Sequence, residues 1–411
     1  VPSEKRLARR AVLDESGLER VRMMHPWIFR GNLRQVPQCT QGDLIAFTDR
    51  AGSIKGWGLW SESALSIRVL TYGTKEPDQM GLLRERLTSA LNWRKTWYQG
   101  EEAFRWVHGE ADGLPGIVAD LYGDVLSLQV SSAGWYRHID KVADVFRKVR
   151  KLSAIVLRNE TKHLEKEGIP KEVRALLGEI PKEPLKIKMG SIYELVDIEN
   201  GQKTGAYLDV KSIPDMISPL FKGARVLDCF SYQGHFGLHA LAAGASEVVA
   251  VEQSQSAIEI ARKNLEINDL PKKMEWICGN AFDIMRKMDS DRERFDVVIM
   301  DPPPFSPAKG QIDSARRGYK ELASQGALIG SKMADILFSF HAAMLLQEKC
   351  FFPYSTKPRS MRGSRAVLRW KYINLLIIRL FPQYLKQTIS KVSLWGSRLN
   401  DMHKKDQSCT V

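Results

Sequence analysis

Apolar and polar residues alternate over short runs at the beginning of the chain, and turn-forming residues separate the runs. Gly42-Asp43 opens the run Leu44-Ile45-Ala46-Phe47, Arg50-Ala51-Gly52-Ser53 turns it, and Ile54-Lys55-Gly56-Trp57-Gly58-Leu59-Trp60 returns, which predicts a hairpin. A further strand, Ser66-Ile67-Arg68-Val69-Leu70, precedes Tyr72-Gly73. Residues 1–74 therefore predict a small β-barrel that closes its own edges. From Pro77 the period lengthens, with Met80, Leu83, Leu87 and Leu91 on one helical face. Strands resume at Phe104–Val107, Ile117–Asp120 and Val125–Val130, parted by the turn sequences Asp112-Gly113-Leu114-Pro115-Gly116 and Tyr122-Gly123-Asp124. A helix near 134–149 and a strand at Ala154–Leu157 complete an α+β unit spanning 75–190. A polar stretch punctuated by Pro170, Pro181 and Pro184 leads out of it.

After Ser191 strands and helices alternate. The strands are Ala224–Cys229, Glu247–Val251, Met274–Cys278 and Phe295–Met300, with helical periods near 235–243, 254–268 and 281–288 between them. This pattern predicts an α/β domain over 191–330, with a parallel sheet covered on both faces and its ligand at the carboxyl ends of the strands. Beyond 330 the pattern fades and Trp, Ser and Arg scatter without period. Residues 331–411 are thus expected to form a basic tail outside the fold, divergent or altered by a reading-frame change, with a fifth strand missing from the sheet. The apolar run Tyr372–Phe381 is too short for a bilayer span, which needs about 20 residues, and reads as a buried strand or helix.

Composition adds limits. Hydrophobic residues make up 44% of 411 and charged residues 27%, the balance of a globular protein with two or three domains and no membrane segment. The net charge is +13, but +10 of it lies in 331–411, so the body is only mildly basic and nucleic-acid binding must rest on motifs. The basic N-terminus (Lys5, Arg6, Arg9, Arg10) lacks a following apolar region, so cytoplasm is the expected location. Cys39, Cys229, Cys278, Cys350 and Cys409 show no C-x-x-C spacing, which argues against a zinc site and against disulfides; no metal is expected.

The chemistry collects at the strand ends. The first strand runs into Asp228-Cys229-Phe230-Ser231-Tyr232-Gln233-Gly234-His235-Phe236-Gly237, a turn that lets backbone approach a ligand ahead of a helix N-terminus. Glu252 closes the second strand, where an acid can accept from both hydroxyls of a ribose. Cys278-Gly279-Asn280-Ala281 follows the third and could address an adenine edge. Asp301-Pro302-Pro303-Pro304-Phe305 follows the fourth: its prolines stiffen the loop and leave carbonyls and Asp301 as acceptors beside a ring, a slot for a base withdrawn from its stack, though such a motif standing alone could also be a rigid turn. A nicotinamide enzyme would use the same turn and acid, but G-x-G-x-x-G is absent and Asp-Pro-Pro-x-Phe has no part in hydride transfer.

These segments, with Gly201-Gln202-Lys203-Thr204-Gly205-Ala206-Tyr207-Leu208-Asp209, Arg317–Leu322, His25–Phe29 and Gly109–Gly116, resemble the class I methyltransferases that modify C5 of a cytosine in large-subunit ribosomal RNA. The resemblance covers about residues 10–325. It implies an N-terminal PUA-like barrel, a small α+β domain and a Rossmann-like catalytic domain that uses S-adenosyl-L-methionine. By the same resemblance Lys203 and Thr204 help close the cofactor site, Asp228, Phe230, Ser231 and Gly234 line the methionine end, Glu252 takes the ribose, Asn280 and Ala281 the adenine, and Asp301, with Pro302 and Phe305, the methyl-transfer pocket. Ribosomal RNA is the implied partner, and a homodimer is left open. Two departures stand out: Gly234-His235 replaces a glycine pair, and Asn280 replaces an acid.

C5 of cytosine is a poor nucleophile, and its methylation normally needs a thiolate to add at C6. The family places that cysteine in a Ser-Cys-Ser segment at the end of the fifth strand, and this chain has no such segment. Cys229 in the turn, Cys278 as a small hydrophobe at the end of a buried strand, and Cys350, nine residues after His341, offer no clear substitute. His25 and His108 read as structural or RNA-facing. Two other readings therefore stand beside C5 methylation: methylation of a base nitrogen, which needs no thiolate and would use Asp301, the Pro302 carbonyl and Phe305, and an inactive RNA-binding protein that keeps the barrel.

Overall fold

The structure, a computed structural model, describes residues 9–271, 273–303, 312–339, 367–369 and 375–379, in two compact units. The first comprises 1–189 and 194–209; the second comprises 190–193 and 210–411.

Unit one begins with six strands: β1 (Arg10–Leu13), β2 (Trp27–Phe29), β3 (Leu33–Gln35), β4 (Leu44–Thr48), β5 (Ile54–Trp60) and β6 (Leu65–Tyr72). Their order is β2-β6-β5-β4-β1-β3, antiparallel except where β1 lies parallel to β4. The predicted hairpin is β4–β5. Edge closure by strand pairing is corrected, because the order has two ends; a single helical turn, Arg30–Asn32, links the two edge strands along the chain instead. Ile28, Ile45, Phe47 and Ile67 are fully buried between them, each removal from water contributing about 1.5–3 kcal/mol. The helix Glu15–Arg22 was not legible in the hydrophobic period; Asp14 starts it by accepting the Gly17 amide at 2.8 Å.

Five more strands follow in unit one: β7 (Ala103–His108), β8 (Ile117–Tyr122), β9 (Val125–Val130), β10 (Ala154–Asn159) and β11 (Glu172–Leu177), ordered β11-β10-β9-β8-β7. Only β9 and β10 are parallel, and their crossover carries the expected helix, broken at Arg137-His138 into Ala133–Tyr136 and Ile139–Val149. The helix Gln79–Trp97 buries Leu83 and Leu87, and the Leu87 carbonyl accepts the Trp106 indole N–H at 2.9 Å. β11 lies inside the stretch read as polar linker: its residues are all half-buried, so no apolar run announced it. Next along the chain come β12 (Leu185–Met189) and β13 (Ile192–Val196), which pair with each other.

Unit two is the predicted α/β sheet. β14 (Arg225–Cys229), β15 (Glu247–Glu252), β16 (Met274–Cys278) and β17 (Phe295–Met300) alternate with helices His235–Ala242, Gln255–Ile267 and Ala281–Ser290. The full order is β16-β15-β14-β17-β18-β20-β19, where β18 is Gly330–Ser339, β19 is Val367–Arg369 and β20 is Leu375–Arg379. The expected end of the fold at 330 is thereby corrected. A fifth strand exists, parallel to β17, and β20 joins it antiparallel from within the apolar run Tyr372–Phe381. Leu227, Val249, Val298 and Met285 fill one face of the sheet. Among the described residues no helix is long and apolar enough to cross a membrane.

Candidate functional site

Register decides which residues share the rim of unit two. Cys229 pairs with Val251 and with Met300, and Val251 with Ile277. One step further along the four strands stand Phe230, Glu252, Cys278 and Asp301, a single row at the carboxyl ends. The strand order reverses between β14 and β17, which opens a crevice beside that row.

Asp228 lies one row below, 1% exposed. Its Oδ2 accepts the Gly237 amide at 2.9 Å, while Oδ1 has no partner among the described residues. Burial pushes its pKa up to about 7, and the charges of Asp301 and Glu252 push the same way, so the three carboxylates share one electrostatic neighbourhood. Gly237 is a residue the motif reading did not single out. A Cβ there would lie 3.1 Å from Asp228 Oδ2 and 2.6 Å from the Met274 methyl, so a side chain would have to displace the end of Met274 and crowd the carboxylate. Its signal was the glycine three residues after Gly234.

The loop between β14 and its helix is unusual in backbone. Phe230 (φ +62), Tyr232 (φ +49) and Gly234 (φ +83) are all left-handed, which for non-glycine residues costs about 1–2 kcal/mol each. Three hydrogen bonds offset that cost: Ser231 N–H to the Val251 carbonyl at 3.1 Å, Tyr232 N–H to Glu252 Oε2 at 2.8 Å, and Gly234 N–H to the Ser231 carbonyl at 2.8 Å. Ser231 is 6% exposed and its hydroxyl has no partner among the described residues. A Cβ at Gly234 would stand 2.9 Å from the Trp276 ring.

Glu252 also accepts the Ser254 amide through Oε1 at 2.8 Å. Each of its oxygens keeps a second lone pair for a hydroxyl. Asn280 caps the next helix by accepting the Phe282 amide at 2.9 Å, which leaves its NH₂ as a donor. Ala281 is buried, and the Phe282 ring meets Phe230 edge-on at 6.4 Å. Pro302 is buried and Pro303 exposed. Phe305 lies outside the described residues.

Lys203 and Thr204 belong to unit one. The Thr204 hydroxyl donates to Asp120 at 2.6 Å and lies 3.1 Å from the Tyr122 hydroxyl, inside a buried network that also holds Arg105 by two bonds. Lys203 pairs with Asp209 at 3.0 Å. The cysteines sort clearly. Cys229 is fully buried and its thiol pKa is pushed far up by burial, whereas Cys278 is exposed, which corrects its reading as a buried hydrophobe. Cys350, Cys409 and His341 lie outside the described residues.

The rim fits a ligand with a ribose and a cationic end. Asp228 Oδ1 and the Ser231 hydroxyl are buried acceptors that such an end would satisfy, and a buried acceptor left unmade is costly. The comparisons agree with this geometry. Residues 210–329 match the family model described as conserved hypothetical protein 95, and residues 12–72 match that of a PUA-like domain. A structure described as a SAM-dependent methyltransferase from Streptococcus mutans superposes with a TM-score of 0.68 at 19% identity, covering 81% of this chain and 86% of its own. Another, described as a methyltransferase complexed with SAH, gives 0.70 at 17% identity, covering 90% and 98%. Fold and sheet order thus define a Rossmann-like methyltransferase domain preceded by a PUA-like domain.

Sequence relatives narrow the class. The ribosomal RNA large subunit methyltransferase I of Aeromonas salmonicida is 36% identical over 303 residues, 72% of this chain and 76% of its own length. That of Shigella boydii is 35% identical over 332 residues, 80% and 84%. The chain belongs to the ribosomal RNA large subunit methyltransferase I family.

Proposed function

We propose that this protein is an S-adenosyl-L-methionine-dependent methyltransferase acting on a base of large-subunit ribosomal RNA in the cytoplasm. One observation carries the reading: two buried acceptors, Asp228 Oδ1 and Ser231 Oγ, stand unpartnered beside a carboxylate, Glu252, that holds its loop in place and retains lone pairs. When bound, the cofactor supplies an electrophilic methyl group. Asp228 and Ser231 would bind its methionine end, Glu252 its ribose, and Asn280 and Ala281 its adenine; Asp301 and Pro302 would face the base.

Family resemblance supports C5 of a cytosine as the target. A specific observation favours a second reading, methylation of a base nitrogen. The sequence has no cysteine between Cys278 and Cys350, so β18 brings no thiolate to the rim. An N–H ring nitrogen becomes nucleophilic once its proton passes to an acceptor, a role Asp301 would take, and needs no thiolate. Mass analysis of nucleosides from ribosomal RNA incubated with the protein and cofactor tests both. 5-Methylcytidine as the product supports the first, an N-methylated base the second. Tight cofactor binding with no methyl transfer would leave an RNA-binding protein without catalysis.

A further inference from the structure

A cavity of about 410 Å³ within unit one lies between the first sheet and the second, walled by Arg68 of β6, Gln129 of β9, Arg158 and Asn159 of β10, and Lys166 and Glu167 after it. Its polar groups are unbalanced. Arg68 Nε, Arg158 Nε and Asn159 Nδ2 are buried and have no acceptor among the described residues. Asn159 is 1% exposed and Arg158 3%. The Asn159 amide is oriented by its other end, since Oδ1 accepts the Val130 amide at 2.9 Å. Glu167 cannot serve these donors. Its carboxylate already accepts from Ser61 at 2.8 Å, Gln41 at 3.0 Å, Arg68 at 3.3 Å and the Ala133 amide at 3.4 Å.

Buried donors without acceptors mark a place where an acceptor belongs. A full negative charge is not required, because the two guanidinium groups are already neutralised: Arg68 by Glu167 and, at 3.7 Å, Glu110, and Arg158 by Glu160. Neutral carbonyl oxygens suit the remaining N–H groups. The volume admits one nucleobase with its sugar. Uracil and guanine present carbonyl acceptors, whereas adenine has none.

We propose that this cavity takes an unpaired keto base of the RNA, a nucleotide other than the one methylated, and reads its carbonyl edge with Asn159, Arg158 and Arg68. The inference rests on the RNA-methyltransferase reading for the identity of the ligand. An unstacked base read on its edge is the usual route to sequence recognition in single-stranded RNA. Such a contact would set which stretch of RNA lies on unit one.

The test uses the full chain with short fluorescent homopolymers of uridylate and adenylate, followed by anisotropy. Oligouridylate should bind about tenfold more tightly than oligoadenylate. Asn159→Asp keeps the acceptor for Val130 and removes the donor; Thr161→Trp fills the cavity from its exposed rim without touching the buried groups. Each should remove the preference while cofactor affinity, measured by calorimetry, stays unchanged. With a 4-thiouridine oligomer, photocrosslinks should fall in the peptides carrying Gln129 and Asn159. Equal binding of the two homopolymers, a preference that survives Thr161→Trp, or displacement of oligouridylate by inorganic phosphate as readily as by uridine monophosphate would each overturn the proposal. Failure of the methyltransferase reading would show separately, as absent cofactor binding and absent methyl transfer with the uridylate preference intact.

Discussion

Glu252 holds Tyr232 by its amide at 2.8 Å, and Tyr232 sits in a left-handed conformation that this bond helps to fix. The same carboxylate is the one expected to take a ribose. In the proposed site it would act on the cofactor twice, as an acceptor and as the anchor of the loop beside it.

Replacing Glu252 by Ala should weaken S-adenosylmethionine binding by about 1.5–3 kcal/mol, the worth of hydrogen bonds to a charged acceptor. Glu252→Gln should cost less, because its one carbonyl can still hold a loop amide. Calorimetric titration of both variants reads the difference, and unchanged affinity in the alanine variant removes Glu252 from the site.

Asp228 should make cofactor affinity depend on pH. Its folded pKa of about 7 stands above the unfolded value of 3.8, so protonation favours the folded, ligand-free chain. The stability this gives is fully present below about pH 4 and is lost as pH rises through 7. A cation bound at the methionine end prefers the ionised form, so affinity should rise between about pH 6 and 8 and binding should release a proton. Asp228→Asn should flatten that rise, and should gain most thermal stability over the unmodified chain at the alkaline end. Calorimetry in two buffers of different ionisation enthalpy counts the proton.

Gly234→Ala should destabilise unit two by about 1–3 kcal/mol, because the residue is left-handed and its new methyl meets the Trp276 ring at 2.9 Å. Urea denaturation measures the loss. Cofactor affinity should fall with it, since Ser231 moves with the loop.

In unit one, Thr204→Val leaves buried Asp120 with its two bonds to Arg105 and without its hydroxyl donor. The expected cost is about 1–3 kcal/mol. Combining it with Tyr122→Phe in a double-mutant cycle should show non-additivity, because both hydroxyls belong to one network.

Much of unit two was legible because its strands alternate with helical periods, and two of them, β15 and β17, carry the unbroken apolar runs Val248–Val251 and Val297–Met300. Met274–Cys278 and Phe295–Met300 fall where the pattern put them. The residues at the strand ends were singled out in the sequence, and register places Phe230, Glu252, Cys278 and Asp301 in one row. β11 was not legible, since a strand half-buried along its whole length shows neither a run nor an alternation. Nor was the cavity at Asn159: its donors come from two strands far apart in sequence, Arg68 on β6 and Arg158 and Asn159 on β10, and nothing local distinguishes Asn159 from any strand-end asparagine. The reading of Lys203 and Thr204 came from resemblance alone. The place of Thr204 in the Asp120 network is one that only packing reveals.

The seven-stranded order separates two tasks. Under the proposed function, the groups that would grip a methyl donor hang from β16, β15, β14 and β17, whereas the cysteine that the resemblance implies for activating a ring carbon would belong to the end of the fifth strand, β18. A chain can alter the second without disturbing the first. Occupancy by the donor is therefore no measure of turnover in this protein, and the two have to be assayed apart.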